Sequence, residues 1–157
     1  MNVRLSITHD RSLKREIKAA MLYPQIHLNA PQIEAVARGI ADIVAMLHLK
    51  VYDCAILQDH VHFFPARHAE DVETPIGYLK RAASRALNEA SLHPLQKFID
   101  KRKRLPSMWV RGGWKRFLSS PDKIEDAIEY VRSNPARHDL PSQQWSFETP
   151  FVYLKTR

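Results

Sequence analysis

The chain has 157 residues, of which 45% are hydrophobic and only four are glycine, and its 24 Lys and Arg exceed its 17 Asp and Glu by a formal net charge of +7. This composition predicts one domain, residues 1–157, with a hydrophobic core, and argues against a disordered chain. No apolar run approaches the ~18 residues of a membrane span, and the N-terminus lacks the apolar stretch of a secretory signal. Cys54 is the only cysteine, which excludes an internal disulfide and a cysteine-based zinc cage. We therefore expect a cytoplasmic protein with no membrane partner.

The positive charge is concentrated between Lys80 and Arg116. Eleven basic and two acidic residues give this stretch a charge of +9 and leave −2 for the remainder. Clustered positive charge is typical of a surface that contacts a polyanion. For the run 101–104 alone a solvated surface loop is an equally good interpretation, whereas Trp109 and Trp114 favour nucleic acid, because aromatic rings stack on unpaired bases. The predicted nucleic-acid contacts are Lys80, Arg81, Arg85, Lys101, Arg102, Lys103, Arg104, Arg111, Lys115 and Arg116.

Apolar periodicity predicts three helices and four or five strands. The predicted strands are 3–8, 50–57, 60–65, 107–110 and 115–118, with a Gly112-Gly113 turn between the last two. The predicted helices begin at Asn29-Ala30-Pro31, near Thr74, and at Ser120-Pro121-Asp122, where Ser120 is the candidate cap. The last helix is predicted to end at Asn134, because Pro135 disfavours helix in the residue before it. The element order predicts an α+β fold of ferredoxin-like type. In this sandwich, helices pack mainly on one face of an antiparallel sheet.

Two histidines stand in the third predicted strand, within the letters DHVHFF at 59–64. Side chains alternate along an extended strand, so His60 and His62 lie on one face and Val61 on the other. Two imidazoles at this spacing can bind one metal ion. They are also an ordinary polar pair on the solvent face of a half-buried strand, and the tripeptide alone favours that second interpretation.

Tyr130 and Asn134 are four residues apart on the last predicted helix and are therefore neighbours on one helix face. Both lie at the edge of the apolar stripe formed by Ile124, Ile128 and Val131, where the helix meets the sheet. Taken singly, a tyrosine at such an edge is typical of packing with a solvated hydroxyl. An asparagine before a proline is likewise typical of a helix end.

Together with DHVHFF, the letters YVRSNP at 130–135 resemble the HUH (His-hydrophobic-His) single-tyrosine transposases, in particular the REP-associated tyrosine transposases, which are related to bacterial insertion-sequence transposases. The supporting matches are GYLKR at 77–81 with Ser84 and Arg85, the segment 109–118, and NPAR at 134–137 with Leu140, Trp145 and Ser146. The resemblance covers roughly residues 51–147. Segment 1–28 departs from the family's opening, and Asp59 stands where relatives often carry Asn.

In that family two histidines and a polar residue from the tyrosine helix hold one Mg²⁺ or Mn²⁺. The resemblance therefore implies His60, His62 and Asn134 as metal ligands and Tyr130 as the nucleophile that forms a 5′-phosphotyrosine. The chemistry is coherent, because a tyrosine hydroxyl is protonated at neutral pH and attacks poorly without help, while a bound cation polarises the scissile phosphate.

The resemblance thus implies a metal-dependent enzyme that nicks and rejoins single-stranded DNA. By resemblance, its DNA carries hairpins, its location is near the nucleoid, and it acts as a monomer or a homodimer. Two alternatives remain open: a domesticated, non-catalytic nucleic-acid-binding module of the same fold, and a nuclease that uses water. Asp59 and His68 are candidate general bases. The simpler interpretation is that Asp59 is a turn residue and His68 a surface residue.

Overall fold

In the computed structural model, the described residues are 2–7, 23–66, 73–110, 114–118 and 120–153. For residues 2–7, 73–74 and 114–117 the description covers the backbone alone. The predictions that involve residues 8–22, His68, Arg111 and the Gly112-Gly113 turn lie outside the described part of the chain.

Four strands form one antiparallel sheet. The strands are β1 (Asn2–Ile7), β2 (Val51–Ile56), β3 (Val61–Pro65) and β4 (Trp114–Leu118), in the spatial order β2-β3-β1-β4. β2 and β3 are joined by a tight turn at Gln58 and Asp59, and β3 then pairs with β1, with His62 opposite Ser6. This order is that of the ferredoxin-like sandwich, so the fold predicted from the element sequence is confirmed.

Two helices, α1 (Ala30–Met46) and α2 (Glu73–Glu89), pack together over one face of the sheet. α1 begins at a capping box, in which the Asn29 side chain accepts from the Gln32 N–H and the Gln32 side chain accepts from the Asn29 N–H. Val61 and Phe63 of β3 are buried beneath these helices because they occupy the alternate positions to the histidines.

The third helix, α3 (Pro121–Arg137), covers the opposite face of the sheet. Ser120 caps its first turn by accepting from the Lys123 N–H, as predicted. Ile124 and Ile128 pack against Phe64, while Val131 packs against Ala55 and Leu57. Of the three α-helices in the described residues, two therefore lie on one face of the sheet, and the helix that carries Tyr130 lies on the other.

Two local predictions are wrong. Residues 107–110 form no strand, because the segment is held to α2 by side-chain bonds in place of a ladder: Ser84 Oγ accepts from the Trp109 indole and Lys80 Nζ donates to the Val110 carbonyl. α3 also continues beyond Asn134 through Pro135 to Arg137. Proline in the last turn removes one backbone hydrogen bond only, and its fixed φ is itself helical.

No helix in the described ranges is long and apolar enough to cross a lipid bilayer. A short 3-10 helix, Gln96–Phe98, separates α2 from the segment that leads towards β4.

We predict that Gly39→Ala lowers the free energy of unfolding by ~1–3 kcal/mol, the usual cost of overpacking a core. A methyl group at Gly39 would stand 2.5 Å from the Ala82 carbonyl oxygen, so α1 and α2 would have to separate. Urea denaturation followed by circular dichroism measures the change.

The matched control is Gly77→Ala on α2, where the nearest atom to the added methyl is Arg81 Nη1, at 3.5 Å. This variant should gain ~0.5–1 kcal/mol, because alanine favours helix over glycine. A Gly39→Ala protein as stable as the Gly77→Ala protein would contradict the close helix contact.

Candidate active site

His60 and His62 present their rings on the sheet face that α3 covers. Their Nε2 atoms are 3.2 Å apart, with ring centroids 4.9 Å apart and ring planes nearly perpendicular. His62 is buried, and the His60 side chain keeps 14% of its exposure. The strand alternation that predicted one shared face is therefore realised as two imidazole nitrogens that converge on one point.

Asp59 orients the first of these rings. Its Oδ1 lies 2.6 Å from His60 Nδ1, a short charge-assisted contact. The carboxylate places the proton on Nδ1, and the lone pair of His60 Nε2 then faces His62. A carboxylate behind a histidine is the arrangement that fixes ring orientation and tautomer in metal sites. Sequence reasoning placed Asp59 in a turn or as a candidate base, and its contact with His60 indicates an orienting role.

Tyr130 of α3 stands beside this histidine pair. Its ring centroid is 5.7 Å from that of His62, in an edge-to-face arrangement. The Arg137 guanidinium lies 5.2 Å from the Tyr130 ring centroid, and 38% of Tyr130 is exposed. The structure thus brings Tyr130, the two histidines and the Arg137 guanidinium to one partly open position between sheet and helix.

Asn134 lies one turn after Tyr130 and is buried. Its Nδ2 donates to the Tyr130 carbonyl oxygen at 2.8 Å. This bond uses the amide's donor group, whereas the Oδ1 atom is the group that binds cations. The roles predicted for His60, His62, Asn134 and Tyr130 stay predictions, and the geometry shows the two histidines and Tyr130 in one cluster with Asn134 on the adjoining turn.

The donor set suits a divalent ion. Two atoms bound to an ion at ~2.1 Å in adjacent positions of an octahedron stand ~3.0 Å apart, close to the 3.2 Å between the two Nε2 atoms. Within the described ranges no three His, Cys, Asp or Glu side chains converge. A bound ion would therefore complete its shell with the Asn134 amide oxygen, phosphate oxygens or water.

An ion pair between the exposed Arg132 and the buried Asp53 ties α3 to the sheet two residues after Tyr130. Arg132 Nε lies 3.3 Å from the Asp53 carboxylate, which is almost fully buried in β2. Burial raises the pKa of Asp53 to about 6, although the Arg132 charge acts in the opposite direction. The pair fixes the helix where Tyr130 faces the histidines.

Residues 143–149, which we call the strap, cover the outer edge of β2. Gln143 exchanges two hydrogen bonds of 2.8 Å with the Ile56 N–H and carbonyl. Glu148 accepts from the Cys54 N–H, and the Trp145 indole donates to the Cys54 carbonyl. Burial raises the pKa of Glu148 to about 7 and that of the Cys54 thiol well above its ordinary value. Side chains in the strap thus do for the edge strand what a neighbouring strand would do.

The predicted nucleic-acid contacts on α2 have distinct surroundings. Lys80 Nζ donates to the Val110 carbonyl at 2.8 Å, and burial lowers its pKa. The Arg81 guanidinium lies over the Tyr78 ring at 4.7 Å. Arg85 is exposed, with Glu89 3.9 Å away. Contact with nucleic acid stays a prediction for all three.

The basic run 101–104 forms a tight exposed turn around Asp100. This carboxylate accepts from the N–H groups of Arg102 and Arg104 and from the Arg104 guanidinium, and those bonds hold its pKa low. Lys101, Arg102 and Lys103 are exposed. Arg111 and the side chains of Lys115 and Arg116 lie outside the described residues, so nothing tests those three contacts.

Two residues at the end of α3 were not singled out from the sequence. Arg137 lies over the Tyr130 ring, and the His138 ring is 5.6 Å from the His60 ring. Arg137 follows Tyr130 by seven residues, or two helical turns, and that spacing is the signal that could have revealed it.

No protein-family model matches the sequence, and no curated protein matches it significantly. Among solved structures, the chain is similar to a REP-associated tyrosine transposase bound to a REP hairpin, at a TM-score of 0.58 over 97% of this chain and 92% of that one. The chain has the fold of that transposase. Because sequence identity is only 10%, the likeness concerns the fold, and the chemistry depends on the residues described above.

We predict that stability falls as the pH rises through the range in which Asp53 and Glu148 titrate. Burial raises both pKa values, from 3.8 to about 6 and from 4.5 to about 7, so the folded chain keeps protons that the unfolded chain has released. Where the native state binds more protons, the free energy of unfolding declines with pH. Glu148→Gln should flatten this decline between pH 5 and pH 7.5 in urea titrations.

Glu34→Gln, an exposed carboxyl on α1, is the matched control and should leave the decline unchanged. A Glu148→Gln protein whose stability falls as steeply as that of the wild type would show that the strap carboxyl does not hold its proton in the folded state.

Proposed function

We propose that the protein is a metal-dependent single-strand DNA endonuclease and strand transferase, a transposase of the REP-associated tyrosine type. The observation that carries this proposal is the position of Tyr130, whose ring lies 5.7 Å from that of His62 although the two residues are 68 positions apart in the sequence. The fold shared with a transposase bound to a DNA hairpin supports the same conclusion.

In the proposed reaction, the Tyr130 hydroxyl oxygen attacks the phosphorus of one DNA strand. The new oxygen–phosphorus bond leaves the 5′ end attached to the tyrosine, and the bond to the 3′ oxygen breaks. The phenol proton passes to solvent, and the departing 3′ oxygen takes up a proton to become a free hydroxyl. Attack by a 3′ hydroxyl on the phosphotyrosine reverses these changes and joins strands without an external energy source.

His60, His62 and Asn134 are the residues that would hold Mg²⁺ or Mn²⁺. A cation there supplies Lewis-acid stabilisation of charge on the phosphoryl and leaving oxygens. Asp59 holds His60 with its lone pair towards the site. Arg137 steadies the Tyr130 ring and adds a positive charge next to the expected position of the phosphate.

The proposed partner is DNA, single-stranded with hairpins, bound by a monomer or homodimer close to the nucleoid. The concentration of positive charge between residues 80 and 116 supports a polyanionic partner. We include a hairpin in the proposed DNA partner because the similar solved transposase structure is bound to a REP hairpin.

We predict that Tyr130→Phe abolishes a covalent protein–DNA adduct and leaves DNA binding within about twofold, since only the nucleophilic oxygen is removed. The assay incubates the protein with Mn²⁺ and a labelled hairpin oligonucleotide with single-stranded flanks, then separates adducts on a denaturing gel. The control is Tyr153→Phe, another exposed tyrosine, which should form adduct at the wild-type rate.

Each other outcome contradicts a particular part of the proposal. Nicking by Tyr130→Phe at the wild-type rate would exclude Tyr130 as the nucleophile. Cleavage by the wild type without a protein-linked 5′ end would indicate a nuclease that uses water. Binding without cleavage by the wild type would indicate a non-catalytic binding module.

We also predict that Asp59→Asn weakens Mn²⁺ binding ~10-fold, the lower end of the effect of losing a group that orients a metal ligand. The neutral amide no longer offers His60 Nδ1 the charge-assisted contact seen at 2.6 Å. Free Mn²⁺ is measured by electron paramagnetic resonance, independently of DNA cleavage. Asp126→Asn on the exposed side of α3 is the control, and equal Mn²⁺ affinity of both variants and the wild type would overturn the orienting role of Asp59.

A further inference from the structure

A groove of about 700 Å³ lies between α2 and residues 105–110, away from Tyr130 and the histidine pair. We call it the α2 groove. Its size is within the 300–1,000 Å³ usual for ligand sites. The wall on α2 carries Lys80, Arg81 and Arg85, and the facing wall carries Pro106 and Trp109. One side is thus basic and the other is apolar and aromatic.

A buried histidine lines the same groove. His93 is only 5% exposed, and its Nδ1 accepts from the Leu95 N–H at 3.2 Å, so the ring proton is on Nε2. No group in the described part of the chain pairs with Nε2. Burial also lowers the pKa of His93, which keeps the ring neutral. A buried N–H donor without a protein partner costs free energy unless a ligand or water accepts from it.

The aromatic wall is held rigidly. Trp109 donates its indole N–H to Ser84 Oγ at 2.9 Å, and Lys80 donates to the carbonyl of the next residue, Val110. Both bonds cross the groove from α2 to the facing segment. The walls are therefore preorganised, and a ligand would pay little entropy to order them.

We propose that the α2 groove binds an unpaired nucleotide of the single-stranded part of the DNA. In this site Arg81 and Arg85 contact phosphates, Trp109 packs against the base, and His93 Nε2 donates to an acceptor atom on the base edge. A base within a duplex is stacked on both sides and cannot offer its face to the indole, so the site selects an unpaired base. This inference rests on the proposed function, because it assigns a second contact to the same substrate.

The groove adjoins residues that border the candidate active site. Trp109 and Val110 line both the α2 groove and a small cavity of about 40 Å³ beside Asp59 and His60. A strand seated in the groove can therefore continue past these two residues towards the histidine pair. The site would set the distance between a recognised base and the scissile phosphate.

The test measures fluorescence anisotropy of a labelled pool of random single-stranded 12-mers, in EDTA and over a range of salt concentrations. Arg85→Ala should weaken binding ~5-fold and lower the salt slope by ~0.7, as expected for one lost phosphate contact on a single strand. His93→Phe should weaken binding ~5-fold with an unchanged salt slope, because it removes a hydrogen bond and no charge. Neither change should alter binding of a blunt duplex by more than ~2-fold.

Arg38→Ala, an exposed arginine on α1, is the charge-matched control and should change single-strand affinity less than twofold. If Arg38→Ala and Arg85→Ala weaken single-strand affinity equally, the proposed nucleotide site in the α2 groove is wrong, since net charge alone would then explain binding. Because Arg85 is exposed on α2, Arg85→Ala should leave the protein folded, so that weaker binding by this variant reports on the groove.

Adduct formation with Mn²⁺ separates this proposal from the proposed function. If Arg85→Ala and His93→Phe form the adduct and bind single strands as tightly as the wild type, the proposed nucleotide site in the α2 groove is wrong. The transposase proposal is then unaffected. Lost single-strand binding in those variants, with no adduct from the wild-type protein, would support the groove and overturn strand transfer.

Discussion

The packing of α3 on the second face of the sheet is the constraint on which the candidate site depends. Val131 is fully buried against Ala55 and Leu57, and it fixes the rotation of the helix about its own axis. Tyr130 therefore lies at the edge of the contact, on the side where His62 points. If α3 packed beside α1 and α2, the strand's alternation would place tyrosine and histidines on opposite faces.

Further contacts hold the two halves of the candidate site together, namely β3 with its histidines and α3 with Tyr130. Asp53 and Arg132 pair across the interface of β2 and α3, and the strap supplies side-chain hydrogen bonds to the edge of β2. β2 in turn pairs with β3, which carries His62. An active site gains from such support, because a misplaced group loses much of its effect on the transition state. Two carboxyls with raised pKa values are the cost of this arrangement, since burying them disfavours their charged forms.

Local signals in the sequence predicted the elements well, because caps and alternation act over a few residues. Asn29 and Ser120 begin their helices, and His60 and His62 share a face as expected. The rule for proline failed at Pro135, whose carbonyl accepts from two later N–H groups and closes the helix further on. The meeting of β3 with α3 and the burial of His93 are set by contacts distant in sequence, which no local pattern reports. The order of helices and strands along the chain was sufficient to predict the order of strands in the sheet. Only the family resemblance predicted that the histidine pair and Tyr130 belong to one site.

The most direct test of the account is an X-ray structure of crystals soaked in Mn²⁺, with anomalous data that locate the ion. We predict one peak ~2.0–2.3 Å from Nε2 of both His60 and His62, with the Asn134 amide oxygen also in the coordination shell of the ion and the Tyr130 hydroxyl facing an open position. A peak bound elsewhere, or a histidine pair that stays within hydrogen-bond distance with no ion at saturating Mn²⁺, would contradict it.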